Sequence, residues 1–142
     1  MKWIDIARGE LGTSEVPSVK ANPRIIEYHK ATTLRANSDE IPWCSSLVNW
    51  VMQTAGFPTT RSAAARSWVR YGVKSELRPG AIVVFSRGSN PAFGHVGFVD
   101  RFDASYVWVL GGNQGNRVSI ARYPLSRLVA CRWPVANVEP LA

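Results

Sequence analysis

Apolar residues recur at helical spacing through the first half of the chain and change to strand-like runs in the second. Trp3, Ile6, Ala7 and Leu11 share one face of a helix predicted over 2–11, with Gly12 to end it. Asn22-Pro23, a cap followed by proline at the first helical position, opens a second helix carrying Ile25, Ile26 and Tyr28. His29 lies within it, and its expected place is the helix surface. Pro42 starts a third helix, whose stripe is Trp43, Leu47, Trp50 and Val51 and whose stop is Gly56 followed by Pro58. Cys44 therefore falls in its first turn. A fourth helix is predicted over roughly 61–71, with small residues at Ala63 to Ala65 and an end at Gly72.

The period changes at residue 77. Arg78-Pro79-Gly80 is a turn signal, and Ala81 to Phe85 reads as a buried strand. Ser86 to Pro91 is polar and reads as a loop. Residues 95–100 form a strand with Val96 and Phe98 on one face, leaving His95 and Gly97 on the other. Strands over 106–110, 117–122 and 128–133 complete an antiparallel series with short connections. Helices first and strands second predict an α+β fold, with N-terminal helices packed on a C-terminal antiparallel sheet.

The 142 residues suit one compact domain, expected to span 1–142 without a second module. With 46% hydrophobic and 19% charged residues, the chain has the makings of a packed core and not of a disordered segment. No apolar run approaches the roughly 20 residues of a membrane span. Asp5 and Glu10 interrupt any signal-peptide core, so the expectation is a chain made in the cytoplasm without a leader. Charge adds a sharper feature. The basic excess lies between residues 61 and 132, where eleven basic side chains face three acidic ones, and Glu139 brings the net to +7; residues 1–60 balance at six each. A basic half attracts polyanions, and nucleic acid, anionic lipid and wall polymers all qualify.

Two cysteines, Cys44 and Cys131, lie far apart with no paired-cysteine motif, and with His29 and His95 they match no zinc-ligand spacing; no metal or other cofactor is expected. A cysteine in the first turn of a helix meets the positive end of the helix dipole and free backbone N–H groups, both of which favour thiolate. Acyl transfer then needs a histidine to shuttle the proton and a group to hold the ring. His95, at a strand start between Gly94 and Gly97, is the better of the two histidines. If the strand ending at Leu110 stays extended, Asn113 shares a face with Gly111 and offers its amide oxygen to the ring. Gln114 would then face away, as a second choice for orientation or as a contact to substrate or oxyanion. Trp43 and Trp68 suit the cleft wall or the core. Each residue also has a plainer reading: Cys44 as a packed core thiol, His95 as a satisfied structural histidine, and Asn113 as a turn residue tolerant of positive φ.

The segments Pro42-Trp43-Cys44-Ser45-Ser46-Leu47-Val48-Asn49-Trp50, Arg78 to Phe85, Gly94-His95-Val96-Gly97-Phe98-Val99 and Leu110-Gly111-Gly112-Asn113-Gln114 resemble those of NlpC-like and CHAP-type cysteine peptidases and amidases. More narrowly they resemble a single-domain group of endolysins and prophage proteins, and the likeness extends to Asn22-Pro23-Arg24-Ile25 and Arg132-Trp133-Pro134. The resemblance implies a papain-like α+β fold and hydrolysis of an amide bond in peptidoglycan, with Cys44 as nucleophile, His95 as general base and Asn113 as the asparagine one strand later. Trp43 and Gln114 are the neighbouring candidates for substrate or oxyanion contact. Two positions depart from the pattern: Gly111 stands where many CHAP domains carry glutamate, and Ala81 where aspartate is common. The arginine-rich half would then meet an anionic wall or outer-membrane surface, with no nucleic acid partner and a monomer expected. Such an enzyme reaches its substrate only after release or delivery from the cytoplasm.

Overall fold

A computed structural model describes residues 2–15, 22–32, 43–89 and 93–135. Three helices, α1 (Lys2–Gly9), α2 (Pro23–Lys30) and α3 (Cys44–Thr54), precede six strands: β1 (Val73–Lys74), β2 (Ile82–Ser86), β3 (Gly94–Phe102), β4 (Tyr106–Gly111), β5 (Ser119–Pro124) and β6 (Leu128–Trp133). The strands form one antiparallel sheet in the order β1-β6-β2-β3-β4-β5. This is the α+β arrangement the hydrophobic pattern predicts.

Local chemistry explains the helix limits. Asn22 Oδ1 accepts from the Arg24 N–H at 2.8 Å and so caps α2, with Pro23 at its first position. Gly12, at φ +94, supplies the left-handed residue just after α1. Pro42, expected to open α3, and the end of the loop expected over 86–91 lie outside the described residues. The fourth predicted helix does not form. Arg61 takes φ +56, its N–H donates to Asn49 Oδ1 at 2.7 Å, and only a short 3-10 turn, Ala65–Trp68, follows. A left-handed residue at its first position cannot belong to a right-handed helix, so the alanines there lead into a turn.

Each sheet face carries its own core. Ile82, Val84, Val96, Phe98 and Leu110 meet Leu47, Val48 and Val51 of α3 and Trp68. Ala81, Val83, Phe85, Val99, Val107 and Val109 gather on the opposite face with Tyr123, Leu125 and Leu128. Burial of each large side chain here contributes about 1.5–3 kcal/mol. The buried polar residues of α3 are satisfied. Ser45 Oγ donates to Ser62 O at 2.7 Å and accepts from Trp68 Nε1 at 2.9 Å, and Asn49 Nδ2 donates to Ser45 O and Ser62 O. His29, expected on the surface, is fully buried with Nδ1 2.8 Å from Ser46 Oγ. The second helix turns that face inward because α2 packs on α3, and the α2–α3 seam needs a polar pair there.

Candidate active site

α3 sets Cys44 against β3, the strand that carries His95. Cys44 begins α3, is only 7% exposed, and packs within the helix-side core. Its sulfur meets the backbone N–H groups of Val96, Ser45 and Cys44 itself. Those donors favour the thiolate, as does the charge of Arg87, yet burial is the larger influence and pushes the Cys44 thiol up. Burial thus works against the thiolate expected of a helix-start cysteine.

His95 stands on the other side of the sheet's pleat, as the strand alternation predicts. Its ring stacks on Tyr123 at 5.0 Å and 18°, and Tyr123 in turn stacks on Phe85 at 4.9 Å. Nε2 lies 2.7 Å from Gln114 Oε1. The tautomer follows from what Gln114 does with its other end. Nε2 of Gln114 donates to Val109 O at 3.0 Å and to Ser119 O at 2.9 Å, which fixes the amide with its oxygen toward the ring. A neutral ring facing that oxygen must carry its hydrogen on Nε2, leaving the lone pair on Nδ1. Nδ1 is buried and has no hydrogen-bond partner among the described residues. Burial drives the imidazole down to about 4; the Gln114 bond opposes this, while the charges of Arg87 and Arg127 add to it.

The residue that contacts the His95 ring is Gln114, the second choice for orienting it, and not Asn113. β4 ends at Gly111, and the chain then turns with Asn113 at φ +60, so Asn113 no longer continues the strand face. Its alternative reading as a left-handed turn residue is the one the backbone adopts. Gly111 makes the exchange possible. A Cβ there would lie 2.7 Å from Gln114 Oε1 and 3.2 Å from His95 Nε2, so a side chain at 111 would sit against the bond itself. Neither tentative oxyanion contact is free for that task. Gln114 spends both amide hydrogens on backbone carbonyls, and Trp43 is fully buried with Nε1 donating to Glu15 Oε1 at 2.8 Å. Trp43 instead fixes the turn, since a Cβ on Gly112 would come within 2.7 Å of its ring. Trp68 is likewise a core residue. No sequence signal singled out Tyr123, because its role depends on β5 lying beside β4.

Among the described residues no cluster of three or more potential ligands could hold a metal ion. Both cysteines carry free thiols, and Cys131 Sγ lies 3.5 Å from Glu76 O, away from the site. The family model described as CHAP domain matches residues 36–113, more than half of the chain, and takes in Cys44, His95 and Asn113 while stopping one residue short of Gln114. The helices and antiparallel sheet are consistent with the papain-like fold of that family. No curated protein matches the chain.

Proposed function

The chain belongs to the CHAP domain family, and from that premise we propose that it is a peptidoglycan hydrolase cutting an amide bond of the bacterial cell wall, with Cys44 as nucleophile, His95 as general base and Gln114 as the group that holds the ring. The observation that carries this reading is the fixed tautomer of His95: Nε2–H is tied to Gln114, and the buried Nδ1 lone pair is left without a hydrogen-bond partner among the described residues. A catalytic base needs a free lone pair and a settled orientation, and both are present before substrate arrives.

Because thiol and imidazole both rest neutral, proton transfer accompanies attack. Nδ1 takes the Cys44 proton as the sulfur bonds to the scissile carbonyl carbon, giving a tetrahedral oxyanion and an imidazolium. The Cys44 backbone N–H at the start of α3 would donate to that oxyanion. The imidazolium then protonates the leaving amine, the C–N bond breaks, and a thioester remains on Cys44. Water attacks this thioester with Nδ1 taking its proton, the C–S bond breaks, the carboxylic acid leaves, and the proton returns to sulfur.

An endolysin-like role in phage or prophage lysis is the finer form of the same proposal. Wild-type protein is expected to release soluble peptide fragments from purified sacculi, and Cys44→Ala to release none while keeping its melting temperature within a few degrees. Undiminished release by Cys44→Ala would sink the proposal. Mass spectrometry of the released fragments identifies the bond.

A further inference from the structure

Three arginines from separate elements converge on the base of the β2–β3 hairpin, next to the Cys44–His95 pair. Arg66, on the 3-10 turn before β1, donates Nε to Phe93 O at 2.9 Å, and a Cβ on Gly94 would lie 3.3 Å from its Cγ. Arg127, on the 3-10 turn before β6, donates Nε and Nη2 to Ser86 O at 3.1 and 2.7 Å, and its guanidinium stands 5.5 Å over the Tyr123 ring that stacks on His95. Arg87 leaves β2 directly after Ser86. Since Phe85 pairs with His95 and Ser86 with Gly94, Arg87 emerges beside the end of β3 that bears the imidazole.

None of the three has a carboxylate partner among the described residues. Two are anchored to neutral backbone carbonyls, which fixes their position and leaves their charge uncompensated, and Arg87 is exposed. Among the other arginines, Arg8 and Arg24 pair with acids, Arg78, Arg101 and Arg122, like Arg127, lie over aromatic rings, and Arg132 is anchored to backbone carbonyls. Uncompensated positive charge beside a histidine that must become positive opposes the reaction unless an anion arrives with the substrate. The electrostatic reach of Arg87 takes in Cys44, His95 and Tyr123 together.

We propose that Arg66, Arg87 and Arg127 form a subsite for a carboxylate carried by the peptide being cut, so that the enzyme selects stems with a free carboxylate flanking the scissile amide. Arg87 keeps its fork for a carboxylate's two parallel hydrogen bonds, Arg66 and Arg127 offer the N–H groups their carbonyl anchors leave over, and a bound carboxylate offsets the charge that otherwise discourages imidazolium formation. Phosphate would satisfy the same forks. The carboxylate is favoured because the cluster abuts the reacting pair, where the group nearest to hand belongs to the chain under attack.

This inference rests on the hydrolase reading and is tested by binding, which needs no turnover. Full-length Cys44→Ala is titrated with a synthetic alanyl-γ-glutamyl-lysyl-alanine peptide bearing free carboxylates, and with its counterpart bearing carboxamides. The carboxylate form is expected to bind about ten-fold or more tightly, the loss of one or two charge-assisted hydrogen bonds. Adding Arg87→Gln, at an exposed position with no hydrogen bond to lose, is expected to remove most of that difference. Binding of the two peptides within two-fold of one another, an undiminished preference in Arg87→Gln, or displacement by inorganic phosphate at lower concentrations than the peptide requires would each overturn it. Sacculus digestion reads the hydrolase proposal separately, so either idea can fail while the other stands.

Discussion

Cys44 and His95 are held by opposite means. Cys44 is positioned by backbone: it starts α3, whose buried side chains lock onto the sheet, and its sulfur meets main-chain N–H groups. His95 is positioned by side chains, through one hydrogen bond to Gln114 and one stack on Tyr123. A nucleophile set in a helix start moves only if the helix moves. A base set by one amide can be misaligned by one substitution.

Gln114→Leu attacks that weaker hold and carries the largest expected effect. It fills similar space but strands His95 Nε2–H and the carbonyls of Val109 and Ser119, so kcat for wall hydrolysis should fall by roughly 10²-fold or more. Stability should fall by about 1–3 kcal/mol, read by urea denaturation. A variant with full activity would show that the ring needs no such anchor. The next effect is on pH dependence. The folded chain protonates His95 only at about 4, against 6.5 when unfolded, so the unfolded state binds the proton first as pH falls. Stability from this residue is complete above pH 6.5 and is lost as pH drops through 4, by about 3 kcal/mol in all. Denaturation midpoints at pH 7 and pH 4.5 should separate in wild type and draw together in His95→Asn.

The cysteine side of the comparison makes a smaller prediction of opposite kind. With burial holding its thiol up, Cys44 should react with iodoacetamide at pH 7 more slowly than free cysteine, and its rate should climb with alkali. Rapid labelling at pH 5–6 would mean that a thiolate–imidazolium pair forms without substrate. The smallest effect belongs far from the site. Arg24 bonds Glu10 at 2.6 and 3.0 Å and Glu27 at 2.9 Å, but it is 43% exposed, so Arg24→Ala should cost about 0–1 kcal/mol and leave hydrolysis unchanged. A large loss of activity there would break the separation of site from surface.

Much of this was legible in the sequence because local signals suffice for local structure. The Asn22-Pro23 cap, the stripe of α3 that places Cys44 at a helix start, and the alternation that turns His95 away from Val96 are each set by neighbours along the chain. The failures occur where distant residues decide. Whether 61–71 coils depended on Asn49 reaching Arg61, and whether His29 is exposed depended on α2 packing against α3. Choosing Asn113 over Gln114 required β4 to continue two residues further than it does. Gly111 held the missing clue: its bare Cα leaves room for an amide to approach the imidazole from three residues later, in place of the glutamate that many CHAP domains carry at that position.

The strand order has a further consequence for how the protein comes into being. β2, β3, β4 and β5 follow one another as neighbours and can zip up as successive hairpins, but β6 must return to lie between β1 and β2. Until residues 128–133 leave the ribosome, β2 presents an open edge bearing Ile82, Val83 and Val84, with no partner on that side. Such an edge is a template for pairing with another chain. Long-range closure of this kind is slow compared with hairpin formation. A nascent chain stalled before β6 would therefore be prone to aggregate even with His95, Gln114 and Tyr123 already synthesised.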